Sequence, residues 1–154
     1  MSDDLFDEPR VSGDAGDFWP GKVGTYKGQL REFAKGPVFE NVDKDGNKKD
    51  SPQVRWVFDV YKLDGTRVQY IPESGPNEGK TQDADKDGLS STTISQKSKA
   101  GEWFGALLAR DIDFAKESAA DLRAEAVGKW GLLVLAKNDN QRVVIKTVGR
   151  LDND

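Results

Sequence analysis

The side chains with most to offer a ligand are cations and rings spaced at alternate positions of strand-like runs. In residues 53–71, QVRWVFDVYKLDGTRVQYI, Arg55, Val57, Asp59 and Tyr61 share one face. Val54, Trp56, Phe58 and Val60 share the other, since strand side chains alternate with a period of two. Arg67 joins the first face beyond the Leu63-Asp64-Gly65-Thr66 turn. Lys27 and Arg31 project from the earlier run 23–33, VGTYKGQLREF, which ends on Phe33. Cations on such a face can track phosphates, and exposed rings stack bases at about 1–3 kcal/mol each. The competing reading is an ordinary wet sheet face.

Other chemistry is narrowed by what the chain lacks. It has no histidine and no cysteine, which removes Ser-His-Asp and Cys-His nucleophiles, thiolate sites and nearly all zinc chemistry. Asp83-Ala84-Asp85-Lys86-Asp87-Gly88 is spaced like the start of an EF-hand loop, but Ile94 stands where the bidentate glutamate belongs. Asp43-Lys44-Asp45-Gly46-Asn47 places Lys48 where that loop needs glycine. Both read as solvated acidic turns. Glu78-Gly79-Lys80 has the acid–lysine spacing of some magnesium-dependent nucleases, without a rigid strand aspartate beside it. The expectation is therefore a non-enzymatic protein with no metal and no cofactor.

The chain of 154 residues suits one domain, and its 36% hydrophobic and 32% charged content suits a soluble one. No apolar run reaches the roughly 18 residues of a membrane span. The acidic start, MSDDLFDEPR, is unlike a signal peptide, so the expected location is the cytoplasm. The net charge of −4 is unevenly placed. Residues 1–19 carry six acids and one base, the last four residues add two acids, and 20–150 hold 22 bases and 19 acids. This divides the chain into an acidic disordered arm (1–19), a mildly basic domain (20–150) and a short acidic tail (151–154). Leu5-Phe6 within the arm could dock a partner protein, although a solvated arm is the plainer reading.

These residues must be held by strands. Residues 23–33 read as the first, with Gly36-Pro37 ending or interrupting it and 41–52 forming a polar loop. Residues 53–71 read as a hairpin, and 72–93, almost free of apolar side chains, as a long loop. Helical spacing over 95–110, with Ser98 as N-cap, predicts a helix. A shorter one follows over 118–126, with a Ser118…Asp121 cap and Gly128 as the stop. Residues 129–137 and 141–148 read as a closing hairpin around Asn138-Asp139-Asn140. Trp56, Phe58, Trp103 and Phe104 are expected in the core, and Trp130 is left open because its strand is apolar on both sides. The result is mainly β. A five-stranded OB-fold barrel with a helix between strands 3 and 4 fits this order. Lys44, Lys48 and Lys49 in one loop, and Lys137 and Arg142 beside another, would flank its binding face.

With that layout, the chain resembles small phage-encoded OB-fold proteins that bind single-stranded DNA. The resemblance is carried by Gly24-Thr25-Tyr26, Trp56-Val57-Phe58, the helix GEWFGALL, the Gly128-Lys129 step and the closing QRVVIKTV, over about residues 22–149. It implies binding with little sequence preference, in phage DNA replication or recombination. The partners would be single-stranded DNA and, through the acidic arm, replication or recombination proteins; a homo-oligomer is compatible. Members often end in an acidic, aromatic-tipped tail, which LDND lacks. On this reading Lys27, Arg31, Arg55 and Arg67 contact phosphates while Phe33 and Tyr61 stack bases. The alternative is an OB-fold adaptor or virion component that binds protein through the same face, and a metal-dependent nuclease ranks third.

Overall fold

Period-two patterning from Tyr26 to Leu30 and from Val54 to Val60 produces the two strands on which the rest assembles. The computed structural model of the protein describes Trp19 and residues 21–151. The remainder of the acidic arm, with Leu5 and Phe6, and residues 152–154 of the tail lie outside the described residues. In chain order, β1 (Gly24–Val42) and β2 (Lys48–Tyr61) form a long antiparallel hairpin. Two short strands, β3 (Gln69–Tyr70) and β4 (Gln82–Asp83), pair with each other. β5 (Asp85–Ser91) then adds to β2. Helices α1 (Lys99–Leu108) and α2 (Ala119–Ala126) lead to β6 (Trp130–Lys137), which pairs with β1, and β7 (Val143–Arg150), which pairs with β6. The five-stranded antiparallel sheet runs β5-β2-β1-β6-β7.

Alternate side chains of this sheet meet α1 in one core. Trp56 lies between the sheet and the helix, with ring centroids 5.2 Å from Trp103 and 4.8 Å from Phe104. Its Nε1 donates to the Ser90 hydroxyl at 2.8 Å, so the buried indole N–H is satisfied. Phe58, Leu30, Leu133 and Leu135 complete the layer, and the four aromatic residues expected inside are all buried. Trp19 is also buried, edge-on to Tyr26 at 5.6 Å. The Ser98 Oγ accepts the Gly101 N–H and the Ser118 Oγ accepts the Asp121 N–H, capping the two helices as their sequences suggest.

Three expectations need correction. Gly36-Pro37 interrupts the first strand without ending it, through a register shift between Lys35 and Val38 after which pairing resumes to Val42. The supposed loop 41–52 is thus mostly strand. Its turn is closed by the Asp43 carboxylate, which accepts the Asp45 and Asn47 N–H groups at 2.9 and 2.8 Å. The strand beside β2 is β5, from the stretch read as a loop, while the return limb of the 53–71 hairpin shrinks to a Tyr61–Arg67 bridge and β3. Finally, the sheet is not closed into a barrel, since β5 and β7 remain its two edges; both helices expected from the sequence stand between β5 and β6, where the barrel layout placed one. No helix among the described residues is long and apolar enough to cross a membrane.

β5 escapes a hydrophobic pattern because its inward side chains are small or polar. A Cβ on Gly88 would stand 2.5 Å from the Trp103 ring. Gly88→Ala should therefore destabilise the fold by about 1–3 kcal/mol, the usual cost of overpacking. In α1, a Cβ on Gly105 meets nothing within 4 Å, so Gly105→Ala should stabilise by about 0.5–1 kcal/mol. Urea titrations of the two variants should move in opposite directions, and matching shifts would contradict this packing.

Arg110, just past α1, ties it to α2 by donating to Glu117 at 2.6 Å and to Glu125 at 2.7 Å. These hydrogen bonds hold both carboxyls below the usual glutamate range. A carboxyl depressed in the folded state contributes stability above its unfolded pKa of about 4.3, and loses it as pH falls through the folded value. Arg110→Gln should accordingly lower Tm at neutral pH, and the gap from the unaltered protein should close in acid. A gap that persists at the lowest pH would show that the arginine acts by packing alone.

Candidate functional site

The helices cover one side of the sheet, so a ligand meets the other. On this outer face the register sets residues from neighbouring strands side by side. Lys27 of β1 lies between Tyr61 of β2 and Leu132 of β6, and Gln29 lies between Asp59 and Trp130. The Tyr61 and Trp130 rings meet across β1 with centroids 4.8 Å apart and planes tilted by 58°. The Arg67 guanidinium carbon sits 5.0 Å from the Tyr61 ring centroid, within cation–π range. Both rings are half-buried, so each retains accessible surface.

Each arginine on this face has an acid beside it. Arg31 donates to Asp59 at 2.9 Å and to Asp85 at 3.1 Å, with Glu32 at 3.8 Å. Arg67 reaches Asp59 at 3.2 Å, the Ala84 carbonyl at 3.0 Å and the Tyr61 hydroxyl at 3.4 Å. Arg55 pairs with Asp87. Burial alone would lower the Arg31 pKa, but the hydrogen bond to Asp85 and the charges of Asp59, Asp85 and Glu32 outweigh it and raise the value. The Arg55 and Arg67 side chains retain 23% and 24% exposure, against 43% for Arg31, so Arg31 is the most accessible of the three. Lys27 makes no ion pair among the described residues.

Of the six residues singled out from sequence, the structure gathers Lys27, Arg31, Arg55, Tyr61 and Arg67 on this outer face. Phe33 is not among them. A register shift between Leu30 and Glu32 inserts one residue into β1 and reverses the alternation after it. Phe33 consequently packs inward, 4.7 Å from Trp56 and 5.9 Å from Phe104. Trp130 takes the ring position that Phe33 was expected to supply.

The acids completing the face were missed as a group. Asp59 shares a strand face with Arg55 and Tyr61, so its role was readable in the alternation. Asp85 and Asp87 were not, because their stretch has no apolar signal. The EF-hand-like run is strand rather than loop, with Asp85 and Asp87 engaged by arginines and Gly88 against Trp103. Among the described residues no three acidic side chains converge as a metal site would require. The Glu78-Gly79-Lys80 spacing falls in an exposed turn in which the Gly79 N–H donates to the Pro72 carbonyl. No known family model matches the chain, and none of the curated proteins is recognisably similar to it.

Proposed function

We propose that this protein binds single-stranded DNA across its outer sheet face, with little sequence preference and without catalysing a reaction. The observation that carries the reading is the Tyr61–Trp130 ring pair, flanked by Lys27 and Arg67 on the face the helices leave open. Two rings at one site offer stacking surfaces to neighbouring bases, and adjacent cations meet the phosphates between them. Strand connectivity supports an OB-type reading. β1 pairs with both β2 and β6, β2 with β5, and β6 with β7, the neighbour order of an OB-fold, in a sheet left open between β5 and β7. A cytoplasmic role in phage DNA replication or recombination follows from the resemblance to phage proteins of this kind.

The matched arginines favour a second reading, in which the face binds protein as an adaptor or virion component. Three arginines against Asp59, Asp85 and Asp87 leave little net charge for a polyanion. Anisotropy of labelled oligo-dT at low and high salt separates the two. Binding should weaken with salt at a slope no steeper than about −3, the value for four phosphate contacts on a single strand. Tyr61→Ala and Trp130→Ala should each cost about 1–3 kcal/mol, roughly 5- to 150-fold in Kd. Lack of binding at low salt would leave the adaptor in front.

A further consequence concerns the aspartates. DNA phosphate must compete with Asp87 for Arg55, so Asp87→Asn should tighten oligo-dT binding by about 1 kcal/mol or less, the scale of an exposed ion pair. Arg55→Ala should abolish that gain. If Asp87→Asn leaves oligo-dT affinity unchanged, Arg55 contributes no phosphate contact.

A further inference from the structure

Beyond Gln53 and Lys35, the β1–β2 hairpin leaves the sheet. β5 pairs with β2 only over Gln53–Asp59, and β6 pairs with β1 only over Gly24–Gln29. The five rungs from Val38↔Pro52 to Val42↔Lys48 therefore stand as a two-stranded arm with both edges unpaired. Every residue from Pro37 to Asp50 in this arm is exposed. Its apolar side chains are large for that position, with Val38 51%, Phe39 47% and Val42 64% exposed. A lone two-stranded hairpin is marginal in water, and this one also sets Glu40 directly opposite Asp50, a like-charge rung that weakens it. Unpaired, apolar strand edges are templates for another strand.

The charges indicate whose strand it is. Residues 35–52 contain four lysines and four acids, so the arm as a whole offers a polyanion no net attraction. Lys48 reaches Glu40 at 3.2 Å, which leaves Asp50 without a cation and Lys44 and Lys49 without a carboxylate among the described residues. Asp43 is occupied in closing the turn. Unmatched charges of both signs on a single arm are complementary to those on an identical arm turned to face it. Antiparallel pairing about a two-fold axis presents the same edge from each subunit.

We infer that the β1–β2 arm is a self-association surface, which pairs edge to edge with the same arm of a second copy and covers Val38, Phe39 and Val42. This inference stands apart from the outer-face reading: Val38, Phe39 and Val42 have no part in that site, and Lys44 and Lys49, expected from the sequence to flank it, lie on the arm beyond the five-stranded sheet. The test is sedimentation velocity of the full chain across the micromolar range. A concentration-dependent dimer is expected. Phe39→Ser with Val42→Ser should raise the dimer dissociation constant about tenfold or more, because the apolar area covered on pairing is lost. Lys44→Glu with Lys49→Glu should weaken it as well, by removing the unmatched cations. Both sites are exposed, so thermal melts of the variants monitored by circular dichroism should show the monomer fold retained. A chain that stays monomeric throughout, or a dimer that neither variant weakens, overturns the inference. So does a monomer whose serine variant loses oligo-dT affinity, for the arm would then serve nucleic acid instead.

Discussion

The volume of the Trp56 and Trp103 rings is the constraint from which the rest of the sheet follows. The two meet edge to face between β2 and α1, and the space Trp103 occupies leaves none for a side chain at position 88 of β5. Gly88 is accordingly bare, and Ser90 is small enough to sit beside Trp56 and polar enough to accept its indole N–H. A strand built this way has no hydrophobic stripe of its own. It is held by its ladder to β2 and by rings that other elements supply. The packing of the core thereby fixes the register of β5, and that register brings Asp85 and Asp87 to Arg31 and Arg55 on the opposite face.

That coupling explains why the outer face is basic in composition but nearly neutral in effect. Each ion pair is partly exposed and contributes modestly to stability, about 0.2–1 kcal/mol by comparison with similar pairs. Their larger effect is on position. Asp59 receives both Arg31 and Arg67, and Arg67 is thereby held over Tyr61. The ring is supported from one side by a guanidinium and met from another by Trp130. A planar group arriving here finds an arranged surface, and a phosphate finds cations that must first be drawn from their carboxylates. The first property suits any stacking ligand, whereas the second limits how strongly charge alone can attract one.

Much of this was legible in the chain, and what was not failed for identifiable reasons. Alternation over Val54–Val60 placed Trp56 and Phe58 inside and Arg55 and Tyr61 outside, because a half-buried strand must separate its faces. Ser98 and Ser118 declared the helix starts through their capping hydroxyls. β5 was illegible since its partners' rings do the packing that apolar side chains normally signal. Phe33 was assigned to the wrong face because an inserted residue in β1 leaves no compositional mark. Trp130 could not be assigned by alternation in a strand apolar on both sides; only its pairing with Gln29 shows which way it faces. Barrel closure failed as an expectation because it depends on whether two edges meet, a property of sheet curvature rather than of any one strand.

β1 shows what inserted residues do to a single strand. Over Gly24–Gln29 it has a partner on each side and behaves as an interior strand, with glycine at position 28 where a Cβ would strike Leu133. Leu30 still exchanges backbone hydrogen bonds with Gly128 and Lys129; beyond it, to Lys35, the strand keeps only β2, and there the first register shift turns Phe33 inward toward Trp56. After the second shift, at Gly36-Pro37, it leaves the core altogether and becomes one limb of the arm. Proline lacks the N–H a ladder requires and is tolerated where pairing is already interrupted. The two irregularities divide one strand into three environments: a buried centre, the flank of the aromatic face, and an exposed edge. Sequence period alone reports one strand, while the insertions decide which side chains reach which surface.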